Sequence, residues 1–242
     1  MLMPIRLASF LLTALLFAAC SSEEKQTTQP GAESPAGMAA GMSAGKSDSK
    51  AIEASQPLSK APLMSSVGAI LGMRAPDFAL IDQAGHTVRL SDFAGKPVVL
   101  EWFNPECPYV VGSHSDGTLK NYPNACVAEG VVWLAINSGA AGKQGAGLEQ
   151  NAAAREAWSM NYPILFDESG AVGKSYKAKT TPHMFVINEQ GLLVYRGAID
   201  NAQEEGAGEP INYVKRALAE MKSGLISKPE TKPYGCNVKY AN

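Results

Sequence analysis

Pro97-Val98-Val99-Leu100-Glu101-Trp102-Phe103-Asn104-Pro105-Glu106-Cys107-Pro108-Tyr109 is the stretch on which the fold turns. Its first half is a nearly unbroken run of β-branched, aliphatic and aromatic residues bounded by prolines. A strand covered on both faces reads this way, because neither side of its pleat meets water. The chain then turns at Pro105, and Cys107 stands where a helix begins. Pro108 fits a first helical turn, where its missing N–H would have had no partner. A thiol at a helix N-terminus faces unpaired N–H groups and the positive end of the dipole. Both favour thiolate, the reactive form, so Cys107 is a candidate nucleophile. A buried cysteine acting as a small hydrophobe is the competing reading.

Outward from this strand the pattern repeats. Val131 to Asn137 is a second buried run, and Tyr162 to Asp167 a shorter third. Pro76 to Ile81 and Thr87 to Leu90 read as short strands around the turn Asp82-Gln83-Ala84-Gly85, and Ser91-Asp92-Phe93 as a single helical turn. Met184 to Asn188 and Leu192 to Arg196 flank Glu189-Gln190-Gly191, a hairpin connection. Helices are predicted over Tyr109–Tyr122, Leu148–Met160 and Tyr213–Met221, the last with apolar residues at helical spacing and Gly224 as its stop. Strands alternating with helices predict an α/β fold with a mainly parallel sheet, closed by one antiparallel strand.

The 242 residues carry 21 Lys+Arg against 23 Asp+Glu, a net charge of −2. Nucleic-acid binding needs a basic surface to displace counterions from phosphates, so that class is not expected. Gly142-Lys143-Gln144-Gly145 lacks the spacing of a phosphate loop, and no cofactor is expected. Four cysteines are too few for a disulfide-dense scaffold.

The first cysteine stands apart. Arg6 precedes an apolar run from Leu7 to Ala19, then Cys20, then the polar Ser21-Ser22-Glu23-Glu24. A membrane span needs about 20 apolar residues, whereas a signal-peptide core needs roughly 7–15. Ala18-Ala19-Cys20 resembles a bacterial lipobox, with Phe17 the less usual residue. Residues 1–20 are therefore expected to be a lipoprotein signal with Cys20 as its lipidated residue; an ordinary secretory signal is the alternative. Residues 21–66 are rich in Ala, Gly, Ser and Pro, and no aromatic occurs between Phe17 and Phe78. Too little apolar surface is available there to offset the entropy of ordering, so a tether is expected. The folded domain is expected over 67–242, in the bacterial cell envelope.

Two further segments carry chemistry. Thr181-Pro182 directly before a strand is a place for a cis peptide bond, which is accessible only before proline. The tail Lys228-Pro229-Glu230-Thr231-Lys232-Pro233-Tyr234-Gly235-Cys236 is kept extended by its prolines, and Gly235 frees the backbone beside a cysteine.

Ala75-Pro76-Asp77-Phe78, Leu90-Ser91-Asp92-Phe93-Ala94-Gly95-Lys96, the strand into Cys107, and Thr181-Pro182 together resemble the thioredoxin-like superfamily. They are most similar to the redoxin branch that contains the alkyl hydroperoxide reductase and thiol-specific antioxidant family. The resemblance implies a thioredoxin-like fold, a central mixed sheet with helices on both faces. It implies that cis-Pro182 and Thr181 lie beside Cys107, that His183 comes near the thiol, and that Glu101 can relay protons. It departs from thioredoxin-type reductases, which carry a second cysteine three positions after the first, where Val110 stands here, and from copper-chaperone redoxins, which carry it four positions on, where Val111 stands. The Pro and Thr of a peroxiredoxin motif are here Leu100 and Asn104. What remains resembles a peroxiredoxin-like group with a single cysteine in a Cys-Pro-Tyr motif.

The expected function is an extracytoplasmic thiol oxidoreductase or antioxidant acting on a thiol/disulfide protein or a peroxide. Cys107 is its nucleophile, with Cys236 as the candidate resolving thiol; a static Cys107–Cys236 disulfide, favoured by an oxidising compartment, or a free tail thiol are the alternatives. Cys126 is expected to be a core or helix-end thiol and a rival partner for Cys236. The alternative is a non-catalytic module that holds copper or zinc through Cys107 and His183, or a partner peptide along Thr181-Pro182. His114, seven residues beyond Cys107, would stand about 10 Å along a helix from it, too far to share an ion. His86, beside a turn, is expected in solvent. Glu106 is expected to be exposed at the helix start.

Overall fold

The computed structural model describes residues 68–241. Cys20, the apolar leader, the 21–66 segment and Val67 lie outside the described residues. The central sheet has seven strands in the order β2-β1-β5-β4-β3-β7-β8. In chain order they are β1 (Ala79–Asp82), β2 (Thr87–Arg89), β3 (Val98–Trp102), β4 (Val132–Asn137), β5 (Ile164–Phe166), β7 (His183–Ile187) and β8 (Leu193–Gly197). Two short strands, β6 (Thr180–Thr181) and β9 (Cys236–Asn237), pair separately. The helices are α1 (Pro108–Ser115), α2 (Tyr122–Ala128), α3 (Leu148–Ala157), α4 (Ala171–Tyr176) and α5 (Tyr213–Met221).

Strand β3 is buried at every position, as its run of apolar residues predicts. It pairs in parallel with β4 and antiparallel with β7. Alternation along the pleat sends successive side chains to opposite faces. Val99, Phe103, Trp133, Ala135, Met184 and Val186 meet the helical residues Val110, Val214, Ala217 and Leu218 on one face. Leu100, Trp102, Leu134, Ile136, Phe185 and Ile187 meet Tyr176 and Phe78 on the other. Helix α5 buries Tyr213, Val214, Ala217 and Leu218, and Asn212 caps it by accepting from the Lys215 N–H at 2.8 Å.

Three expectations are corrected. The sheet is not mainly parallel: only β3, β4 and β5 run together, and β1, β2, β7 and β8 join by antiparallel pairs. Short turns rather than helical crossovers join β1 to β2 and β7 to β8, and connections of only a few residues permit only antiparallel neighbours, since a parallel crossover needs about a dozen or more. The helix predicted over Tyr109–Tyr122 ends at Ser115, and a second helix begins only at Tyr122. Its chain breaks at Gly117, where a Cβ would sit 2.9 Å from the Ser113 Cα, and restarts at Tyr122 with Pro123 in the first turn. Helix α4 and strands β6 and β9 were not anticipated.

Candidate active site

The turn between β3 and α1 is built by Asn104. Its Oδ1 accepts from the Glu106 N–H at 2.9 Å, its Nδ2 donates to the Gln144 carbonyl at 3.1 Å, and its own carbonyl accepts from the Cys107 N–H at 3.1 Å. Cys107 is thereby the extended N-cap residue of α1, with Pro108 following as the sequence suggested. Its side chain is fully buried and packs with the core. The thiol donates to the Thr181 carbonyl at 2.9 Å. Glu106 is exposed, and its carboxylate accepts from the Gly145 N–H at 3.0 Å.

The Thr181-Pro182 peptide is cis. It brings the Thr181 carbonyl onto the Cys107 sulfur. The Thr181 hydroxyl is buried and has no regular hydrogen-bond partner. It faces the same sulfur. Thus the thiol form donates to the Thr181 carbonyl, and a thiolate would find the Thr181 hydroxyl ready to donate in return.

The tail completes the site. Strand β9 lies antiparallel to β6 with Cys236 opposite Thr181 and Asn237 opposite Thr180. The Cys236 thiol comes within hydrogen-bonding reach of the Cys107 sulfur, and the Cys236 backbone N–H also faces it. Both cysteines are free thiols. Gly235 permits the approach: its φ is +132°, and a Cβ there would overlap the Thr181 carbonyl. The tail is held on both sides of the cysteine. Before it, Thr231 Oγ1 accepts from the Ala198 N–H at 2.8 Å and bonds the Tyr195 hydroxyl, and Tyr234 donates to Asp200 at 2.6 Å. After it, the Val238 N–H donates to the Lys179 carbonyl at 3.1 Å. Tyr240 fills a slot that side chains on Gly170 or Gly173 would occupy, and donates to the Ala178 carbonyl at 2.9 Å.

The two sulfurs differ in acidity. Burial alone would raise the Cys107 thiol. The Cys236 thiol, the Thr181 hydroxyl, and the Val110 and Cys236 N–H groups outweigh burial and hold it below an ordinary thiol. Burial and the neighbouring Cys107 push Cys236 up to about 11. One thiolate-prone sulfur beside one protonated thiol is an arrangement that can pass through a mixed disulfide to an internal disulfide.

Behind this site lies a buried polar group that the sequence reading did not assemble. Glu101 Oε1 meets His114 Nε2 at 2.8 Å, and Glu101 Oε2 accepts from the Trp133 indole at 3.0 Å. The His114 ring stacks on Trp158 with centroids 4.9 Å apart. Glu101 therefore pairs with a buried histidine. The signal was present in the sequence: an acid inside a fully apolar strand needs a buried partner.

His183 does not approach Cys107. It follows the pleat of β7 onto the opposite face, opposite Trp102 in register and 4.5 Å from the Phe185 ring centroid. Its Nδ1 accepts from the Lys179 N–H at 3.3 Å, and burial lowers its pKa to about 3. The Cys107–His183 metal pair of the alternative reading is therefore not assembled. Among the described residues, no group of three or more His, Cys, Asp or Glu side chains is placed to hold a metal. Cys126 is buried in α2 against Tyr122, and its thiol is raised by burial. Cys236, not Cys126, lies at Cys107. His86 is exposed, 3.4 Å from Asp82.

A β-α-β core joined to an antiparallel hairpin, with a cysteine at the first strand-to-helix turn and a cis-proline loop against it, defines a thioredoxin-like fold. The chain belongs to the redoxin family, whose model matches residues 70–211. Cys236 lies beyond that match. Among curated proteins, the thiol-disulfide oxidoreductase ResA of Geobacillus kaustophilus is 33% identical over 128 residues, covering 50% of this chain and 65% of that protein. ResA of Bacillus subtilis is 29% identical over 133 residues, covering 51% and 64%. The chain thus spans just under two thirds of these relatives. A hypothetical protein of Sinorhizobium meliloti 1021 superposes with a TM-score of 0.63 at 28% identity, covering 71% of this chain and 95% of that one.

Proposed function

We propose that this protein is an extracytoplasmic thiol–disulfide oxidoreductase whose redox couple is Cys107 and Cys236, tethered to the membrane by a lipid on Cys20. The observation that carries the reading is the β6–β9 pairing, which sets Cys236 opposite Thr181, the residue whose carbonyl accepts from the Cys107 thiol. The names of the ResA relatives support the reaction class. In the reducing direction, the tail first lifts from the buried Cys107. The Cys107 thiolate then attacks one sulfur of a substrate disulfide, forming a mixed disulfide and releasing the other sulfur as a thiolate. The Cys236 thiol loses its proton, attacks the Cys107 sulfur and expels the second substrate thiolate. An internal disulfide remains, and a thiol reductant restores it.

Peroxide reduction is the lesser activity in this reading, because Leu100 and Asn104 stand where a peroxidatic motif needs proline and threonine. The Cys107-Pro108-Tyr109 motif fits a peroxiredoxin-like group that lacks those residues. The test is disulfide reductase and peroxidase turnover for the wild type, Cys107→Ser and Cys236→Ser. Cys107→Ser should abolish reductase turnover, and Cys236→Ser should stall as a mixed disulfide. Reductase turnover that survives in Cys107→Ser would refute the reading. Radioactive palmitate should label the wild type and not Cys20→Ser; an unlabelled wild type would remove the lipid tether.

A further inference from the structure

We infer that Cys236, not Cys107, is the sulfur through which an external thiol reduces the oxidised protein. The inference rests on the dithiol reading above and assigns the two sulfurs opposite roles in regeneration.

Cys107 is fully buried, whereas Cys236 is partly exposed at the outer edge of the β6–β9 ladder. The β6–β9 pairing sets Cys236 opposite Thr181, whose carbonyl accepts from the Cys107 thiol, and Cys236 packs against the core cluster that holds Cys107, so the disulfide can close with the strand pairing and this difference in access kept. Thiol–disulfide exchange is directional: the incoming thiolate approaches along the S–S axis, opposite the sulfur that leaves. Attack on Cys236 therefore comes from outside the tail, with Cys107 as leaving group. Attack on Cys107 would have to come through the core beyond it, where Phe103 and Val110 are packed. The tail bars the remaining approach, because Thr231 and Tyr234 hold it before Cys236 and Val238 and Tyr240 hold it after.

The external thiolate forms a bond to the Cys236 sulfur, and the Cys236–Cys107 bond breaks. Its electron pair stays on Cys107, which is left as a thiolate facing the Thr181 hydroxyl and the Val110 N–H. A lower thiol pKa makes the better leaving group, so the acidity difference between the two sulfurs favours this direction. A second external thiolate then displaces Cys236 from the mixed disulfide. The exposed sulfur thus faces the donor, and the buried sulfur is kept for the substrate that follows once the tail lifts.

The experiment uses the full wild-type chain and reduced glutathione. The chain is oxidised mildly, and peptide mapping establishes whether the Cys107–Cys236 disulfide has formed. Glutathione is then added, the reaction is stopped in acid at short times, and free thiols are blocked with N-ethylmaleimide. Mapping is expected to find glutathione on the Cys236 peptide and maleimide on the Cys107 peptide, in at least tenfold excess over the reverse. Glutathione mainly on Cys107, or equally on both, overturns the assignment while leaving the dithiol couple intact. Failure to form the Cys107–Cys236 disulfide overturns the couple itself, and the assignment with it.

Discussion

Replacing Gly235 with alanine puts a methyl group onto the Thr181 carbonyl, in a backbone conformation of φ +132° that side chains disfavour. Neither the carbonyl nor cis-Pro182 can retreat, because Thr181 is held by β6 and by the Cys107 thiol. The reduced protein can relieve the overlap by letting β9 leave the edge. The oxidised protein cannot, since the disulfide holds Cys236 in place. The difference between the two states is the docking free energy of the tail around Cys236. Two to three backbone hydrogen bonds, including that from Val238 to Lys179, at about 1 kcal/mol each, give about 2–3 kcal/mol. At 1.4 kcal/mol per tenfold change, the equilibrium constant for disulfide formation against glutathione should fall about 30- to 150-fold. The assay is redox titration in glutathione buffers, read by mass after alkylation. Gly208→Ala is the control, because nothing lies within 4 Å of a Cβ there. A Gly235→Ala protein that titrates within threefold of wild type would show that the β6–β9 pairing does not position Cys236.

Other perturbations test the surroundings. The folded state keeps His183 neutral down to about pH 3, whereas an unfolded histidine takes a proton near pH 6.5, so the unfolded chain binds more protons in between. Stability should fall as pH drops below about 6.5, by about 2 kcal/mol at pH 5. His183→Gln should flatten that slope in urea titrations, and an unchanged slope would clear His183 of the effect. His114→Leu leaves the buried Glu101 with only the Trp133 indole, and should cost about 3–5 kcal/mol in urea unfolding at pH 7. A second change, Glu101→Gln, should restore part of it; a loss under about 1 kcal/mol would mean that His114 is not what stabilises the buried Glu101. Thr181→Val removes a buried hydroxyl with no regular partner. It should leave unfolding stability unchanged or raised by up to about 1 kcal/mol, yet move the pH midpoint of Cys107 alkylation upward. A midpoint that stays put would show that the hydroxyl does not support the thiolate.

The parts of this fold that were legible in the sequence are those whose signal is local. Strand β3 is spelled out by an apolar run between prolines, and α5 by helical spacing with Asn212 as its cap. The turn that carries Cys107 was legible because proline, cysteine and proline each have a positional meaning there. Pairing was less legible. Nothing in Val98–Trp102 says that one neighbour is parallel and the other antiparallel, because a strand buried on both faces has no polar side to set its orientation. Which face a residue joins depends on register, and this misplaced His183: adjacency to cis-Pro182 in sequence sends its side chain away from Cys107. Strand β9 is two residues long and exists because Gly235 allows contact with Thr181, a partner 54 positions away in the numbering (235 − 181). The Glu101–His114 pair joins a strand to a helix, and only an isolated acid in an apolar strand hinted at it.

The slot made by Gly170 and Gly173 measures the tail. Tyr240 is fixed in it, four positions after Cys236, so the distance along the chain decides which side chain faces the Cys107 sulfur. Side chains in a strand alternate, so inserting or deleting a single residue between the two would keep Tyr240 seated and turn a neighbour of Cys236 toward the sulfur. Such a protein would keep its core and its anchored tail and yet lose the thiol placed beside Cys107.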